Sequence, residues 1–482
     1  MKLIFSLIVV LCGSFSSGLD NNYKLEEVYY WTHVSYENLP YDVNTYIGNY
    51  PYYIPENNDV LSASYHAQSG LMLSAVPRFR PGVPSTLNAF CVSNYPTGSS
   101  PRLWGFPDYN KNTLKPNFYG SPHDDNNWKT NTTTKTYSSG YFNYFHSSQP
   151  YGGVVNIPSS SVHRPYDFSI ISTYHVKVDD RCNRAFIIDT GVLHYSSSVI
   201  YDVQRPAIVV FDLPADGCVT RQFPVVRRVD IPDHLWTNPV GFVYVTLDYQ
   251  DKYSCDDVLL YITNVFDSSL IVYNYKTGDF WTLSAPPMYP IYAESTMIYK
   301  DFFTYTLPMG ITNVALGHPD VEGNKIAYFA PGTGSVQYAV STKVFKNAKS
   351  YPYNYNPGDF SLIGYRGCNS QHRLQLLDLT TNVMFYADGP SGKIRCWNPA
   401  YALSPDTMGI VFETNCFISD MNIDSSGYLW FHCSNMPFIY LSDAPLNLTE
   451  VNSKTYRVKV TEAIRGTVCD TLQVYSPHEI YY

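Results

Sequence analysis

The sequence predicts an all-β fold of about six blade-like units. Three observations carry this: a composition rich in strand and turn formers, a strand pair that recurs along the chain, and strands with almost no polar residue. Tyr 45, Phe 25 and Pro 33 stand against few charged residues, and aromatic residues favour strands over helices. The recurring unit runs from a turn rich in Asp, Asn and Gly through an apolar strand ending in a polar residue, then a loop and a second apolar strand. Residues 71–76 open the series. Segments 185–191 with 207–213, and 258–264 with 270–274, follow, the latter leading into a Lys276-Thr277-Gly278 turn and Trp281. Segments 326–329 with 336–340, 374–378 with 383–386, and 428–432 with 438–441 complete six. A strand this apolar is buried on both faces, as in a propeller blade packed between neighbours. Stacked sheets of a sandwich give the same pattern, so periodicity alone leaves both architectures open.

Between about residues 110 and 167 the rhythm breaks into Asn, Thr, Ser, Gly, Tyr and Pro, which reads as an irregular surface insertion. A shorter loop of the same kind covers 351–358. At the N-terminus, Met1-Lys2, an apolar run from Leu3 to Cys12 and a small polar stretch follow the order of a secretory signal peptide, with cleavage expected after Gly18. That run is far shorter than the roughly 20 residues that cross a bilayer, and no later segment is longer without charge or proline. The mature chain 19–482 is therefore expected to be a single exported domain with no membrane partner.

Of ten cysteines, Cys12 lies in the apolar run, leaving nine in a chain expected to meet an oxidising compartment. Disulfides are expected, and the odd count leaves one thiol free, buried or joined to another chain. The expected state is a monomer, with a dimer through an unpaired cysteine as the alternative. No C-x-x-C pair or zinc-finger spacing occurs. Sequons at Asn131 and Asn447 suit glycosylated loops. A formal charge of -9 without a basic block removes nucleic acid as a partner. No Gly-x-Ser-x-Gly elbow, phosphate loop or zincin helix is present.

Tyr53-Ile54-Pro55-Glu56-Asn57-Asn58, followed by Val76-Pro77-Arg78-Phe79-Arg80-Pro81-Gly82-Val83-Pro84-Ser85-Thr86-Leu87-Asn88, resembles the first-blade signature of the yellow / major royal jelly proteins of insects. That family includes cuticle pigmentation proteins, dopachrome-converting enzymes and amine-binding salivary proteins. Further similarity runs in family order through Val178-Asp179-Asp180-Arg181-Cys182, Asp189-Thr190-Gly191, Ile262-Thr263-Asn264-Val265-Phe266 and Val340-Ser341-Thr342. It continues through Gly364-Tyr365-Arg366-Gly367-Cys368-Asn369-Ser370-Gln371 and Cys396-Trp397-Asn398. The resemblance spans the mature chain apart from the 110–167 insertion and the extreme C-terminus, and it implies a six-bladed β-propeller. The chain departs from the family at Ser419-Asp420, where an Asn-Asp pair is usual, at the extra Cys368, and in the Tyr-rich insertion.

The resemblance also implies disulfides Cys182 to Cys255 and Cys396 to Cys469, worth about 3–5 kcal/mol each in the chain-entropy model. A propeller gathers the polar ends of its innermost strands around one channel. Asn264, Asn313, Trp397, Ser419, Asp420 and Met421 are placed there as candidate ligand contacts, each weighed against a role in closing turns or satisfying backbone groups. The implied ligand is a small aromatic amine or catechol-derived compound held by an aromatic wall and a few polar groups, in pigmentation, cuticle or a secreted fluid. The alternatives are a dopachrome isomerase of the melanin pathway and a structural or nutritive protein without ligand. Isomerisation moves a carbon-bound proton and needs a positioned acid and base, for which Asp420 or a channel histidine qualifies. His318 and His372 are the conspicuous histidines, though a lone His beside Pro or on a strand more often serves structure. Asn264, Asn313 and Asp420 supply too few carboxylates for calcium, so neither metal nor cofactor is expected.

Overall fold

Six four-stranded antiparallel sheets are arranged as the blades of a β-propeller. The computed structural model describes residues 25–470 except 48, 113, 115–168, 197–198, 301–302, 350–354, 390 and 443. The expected signal segment, most of the insertion and Asn131 lie outside the described residues. From the channel outward, blade 1 is Ser62–His66, Leu71–Ala75, Leu87–Cys91 and Trp104–Gly105. Blade 2 is Val176–Asp179, Arg184–Asp189, Ala207–Asp212 and Val225–Asp230, and blade 3 is Phe242–Tyr249, Val258–Asn264, Ser269–Asn274 and Phe280–Leu283. Blade 4 is Ile311–Pro319, Lys325–Pro331, Val336–Ser341 and Phe360–Tyr365, and blade 5 is His372–Asp378, Val383–Asp388, Lys393–Trp397 and Met408–Glu413. Blade 6 takes Phe417–Ile423, Tyr428–Ser434 and Ser453–Lys459 from the end of the chain and Glu26–Trp31 from its start. Each innermost strand contacts the next, and that of blade 6 contacts that of blade 1, so the ring is closed.

The burial pattern explains why the apolar runs stand out in the sequence. The second strands of blades 1, 3 and 5 are buried at every position, because a neighbouring blade packs against each face. In the fifth unit the two apolar segments are the first and second strands, one place inward of the position the repeat suggests. The sixth unit needs a correction. Residues 438–441, read as a strand, belong to the helix Met436–Leu441, and the third strand of blade 6 is Ser453–Lys459. Pro437 occupies the first turn of that helix, where its fixed φ and missing N–H are tolerated and from which it could not serve a sheet ladder. Four apolar residues are too few for periodicity to separate helix from strand.

Closure rests on the strand Glu26–Trp31, which pairs with Ser453–Lys459 from Glu26 opposite Arg457 to Trp31 opposite Ser453. Arg457 Nε donates to Glu26 at 2.6 Å and Lys454 Nζ to Glu27 at 2.9 Å. Trp31 is fully buried, donates from Nε1 to the Pro101 carbonyl at 2.9 Å, and meets Phe90 and His432. Disulfides reinforce the ring: Cys91–Cys218 joins blades 1 and 2, and Cys182–Cys255 joins blades 2 and 3. Cys396–Cys469 ties the C-terminal segment to blade 5, Cys416–Cys433 lies within blade 6, and no described cysteine is free.

Where the innermost strands begin, the hairpins Val192–Ser196 with Val199–Asp202 and Thr296–Tyr299 with Phe303–Thr306, and the helix Met436–Leu441, stand above the ring. Phe79, Tyr174, Val192, Tyr305, Phe417 and Ile439 from these elements and the neighbouring loops form one apolar cluster across that end of the channel. Truncating the seam tests the closure: Trp31→Ala should lower the free energy of unfolding by about 3–5 kcal/mol in urea titrations. Tyr253→Ala, at an exposed turn, should change it by less than about 0.5 kcal/mol.

Candidate functional site in the channel

Asp420 lies on the innermost strand of blade 6, buried. Its Oδ2 accepts from Ser62 Oγ at 2.7 Å and from the Ala63 N–H at 3.1 Å, both on the innermost strand of blade 1. Its Oδ1 lies 3.3 Å from Nδ1 of His175, the residue just before the innermost strand of blade 2. Burial alone would push this carboxyl up, but the charge and contact of His175, the Ser62 hydroxyl and His432 together hold it below the usual carboxylate range. Asp420 is thus an anion at the meeting point of three blades.

Three further polar side chains, from three innermost strands, lie within reach of that charge: Lys177 of blade 2, Tyr244 of blade 3 and Arg373 of blade 5. Burial lowers the Lys177 ammonium, opposed by Asp179, Asp420 and Asp180. Burial brings the Arg373 guanidinium down to about 10, opposed by Tyr305 and Asp420. Burial, then the Asp420 charge, raises the Tyr244 phenol. The His175 and Tyr244 rings meet at 5.0 Å between centroids, and the Arg373 guanidinium carbon is 5.4 Å from the Phe417 ring centre. Arg373 is only 4% exposed, and its Nε has no hydrogen-bond partner. Among the described residues neither Lys177 nor Arg373 forms an ion pair. The ensemble is an acid–base pair, two cations and an aromatic wall under an apolar cover.

Of the candidates read from the sequence, Asp420 alone joins this ensemble. Asn264 closes the turn after its strand: its Oδ1 accepts from the Phe266 and Asp267 N–H groups, and its amide donates to Asn238 and Asp267. Asn313 pins blade 4 to blade 5, donating to the Gln375 carbonyl at 2.6 Å and accepting from the Gln375 N–H at 3.2 Å. Trp397 packs between blades 4 and 5 against Tyr328 and donates to the Tyr401 carbonyl. Met421 is buried between blades 5 and 6, and Ser419 Oγ donates to the His432 carbonyl at 3.4 Å. Thus Asn264 and Asn313, considered with Asp420 for calcium, spend their side-chain oxygens on the backbone. Among the described residues no His, Cys, Asp or Glu group fits a metal. His372 Nε2 faces Asn313 Oδ1 at 3.1 Å, and burial, then Arg366 and Arg373, holds the ring well below its ordinary pKa. His318 lies near the far end of the innermost strand of blade 4. Asn447 is exposed, with its amide on Glu450.

The residues missed were His175, Lys177, Tyr244, Tyr305 and Arg373. A signal existed for the first two, because His175-Val176-Lys177-Val178-Asp179 alternates polar and apolar in the manner of a half-buried strand.

Comparison with known proteins places the chain in a family. The model described as major royal jelly protein matches residues 171–469, from just before His175 to Cys469. The chain belongs to the major royal jelly protein family. A yellow-related salivary protein of Phlebotomus orientalis is 31% identical over 64% of this chain and 76% of its own length. One of Phlebotomus perniciosus is 26% identical over 93% and 95%, and L-dopachrome tautomerase yellow-f of Drosophila melanogaster is 24% identical over 83% and 80%. In this royal jelly protein relative, the matched region holds His175, Lys177, Tyr244, Arg373 and Asp420, whereas the seam strand and blade 1 precede it.

His432 links the site to the seam, with Nε2 donating to the Val60 carbonyl at 2.8 Å and Nδ1 accepting from the Thr455 hydroxyl at 2.9 Å. Burial, against the Val60 hydrogen bond and Asp420, lowers its pKa from 6.5 to about 4. A depressed folded-state pKa means that the unfolded chain takes up the proton first. The stability contributed by neutral His432 is therefore intact above about pH 6.5 and is lost as pH falls toward 4. Urea unfolding should show a loss of about 3 kcal/mol from this group between pH 7 and 4, and His432→Gln should flatten that decline.

Proposed function

We propose that the chain is a secreted yellow-family protein whose channel binds a small aromatic compound, an amine or a catechol derivative. The observation that carries this reading is the convergence of His175, Lys177, Tyr244, Arg373 and Asp420 from four blades beneath Phe417 and Tyr305. Preformed sites join an apolar wall to a few directed polar groups, as this one does. Secretion is supported by the apolar N-terminal run, by four disulfides, which persist in oxidising compartments, and by similarity to salivary proteins.

The second reading, a dopachrome isomerase, is favoured by one observation, the 3.3 Å approach of His175 to Asp420. A histidine paired to a carboxylate can take a proton from carbon and return one to oxygen, and yellow-f carries that activity in its name.

Calorimetric titration with serotonin, dopamine and dopachrome, with dopachrome decay followed by absorbance, separates the two. The binding reading predicts saturable heat without decay, weakened about tenfold or more in Tyr305→Ala. Decay accelerated by the protein and abolished in His175→Gln would establish the isomerase, and neither signal would leave both readings without support.

A further inference from the structure

The site sets two cationic side chains, Arg373 and Lys177, beside Asp420. We infer that Arg373 and Lys177 form an anion subsite, so that the channel selects an aromatic ligand bearing a carboxylate. This deepens the binding reading above and rests on it.

Asp420 is the one anion among the five converging residues, with Asp179 and Asp180 acting on Lys177 from its own end of the strand. Its Oδ2 accepts from Ser62 and Ala63, and its Oδ1 faces His175 Nδ1 at 3.3 Å. An incoming ammonium would have to displace His175 and would also face two cations. Those cations have the opposite problem. Arg373 is 4% exposed with Nε unsatisfied, and Lys177 is half-buried. Buried charges are ordinarily paired, because an unpaired one forfeits several kcal/mol of hydration. A buried guanidinium with an unsatisfied Nε is therefore poised for an anion, and its planar fork fits a carboxylate through two parallel hydrogen bonds. Lys177, two residues beyond His175 on the innermost strand of blade 2 and so on the same face, adds a second positive charge.

The rest of the ligand follows from the surroundings. Phe417 lies 5.4 Å from the guanidinium carbon, and Phe417 and Tyr305 belong to the apolar cover. An acid group on Arg373 thus places its attached ring against aromatic side chains. The protein as a whole carries a formal charge of -9, so its average field repels anions. Selection for one has to come from these two residues.

Three probes with the same catechol ring test this: dopamine, with an amine only; L-dopa, with amine and carboxylate; and 3,4-dihydroxyphenylacetate, with a carboxylate only. Calorimetry on the full secreted protein should give the two acids at least about tenfold tighter than dopamine. Arg373→Met should remove that preference by weakening both acids about tenfold or more, and Arg373→Lys should keep part of it. Where Arg373→Met fails to fold, Lys177→Met reads the same loss at a half-buried position. Dopamine binding tightest to the wild type, or an acid preference that survives both methionine variants, overturns the anion subsite alone and leaves channel binding in place. No binding by any of the three overturns both.

Discussion

A buried carboxylate can persist only where donors and positive charge surround it, and in this propeller that requirement falls on Asp420. Blade 6 supplies the acid, blade 1 supplies the Ser62 hydroxyl and the Ala63 N–H, and blade 2 supplies His175. Meeting the needs of one side chain fixes three innermost strands relative to one another. The junction so fixed is also where the chain closes on itself. His432 holds Val60 across the same gap, and outside it Glu26–Trp31 completes the sheet of blade 6. Seam and site therefore meet at one junction, with His432 between them.

This junction accounts for the electrostatic character of the channel. Asp420 is satisfied by the ring itself, so its charge is spent on architecture. Arg373 is not satisfied in that way, its Nε having no hydrogen-bond partner, and Lys177 forms no ion pair among the described residues. What remains available to a visitor is positive charge beside aromatic surface, under a cover made of hairpins and a helix that the repeat does not require. The blades supply the scaffold, and the irregular connections at one end supply the enclosure, as loops on rigid frames commonly do.

Much of the fold could be read from the sequence because second strands packed on both faces must be apolar without interruption. Val258–Asn264 and Val383–Asp388 are buried throughout and announce themselves. The helix Met436–Leu441 did not, since four apolar residues fit either period and the decisive residue was Pro437. The site was less legible for a related reason. Asn264, Asn313 and Trp397 are polar or amphipathic residues at strand positions, yet their side chains serve turns and blade contacts. Arg373 follows His372 in sequence without any local mark of its role. Only assembly of the ring shows that, among the described residues, it forms no ion pair while His372 meets Asn313.

If one carboxylate holds the seam and the site together, removing it should loosen both, which hydrogen–deuterium exchange on Asp420→Ala reads. Exchange should quicken at Ala63 and along Ser62–His66, with matching loss of protection in Val176–Asp179 and in the closing strand Glu26–Trp31. Faster exchange confined to Phe417–Ile423, with blades 1 and 2 as protected as in the wild type, would contradict it.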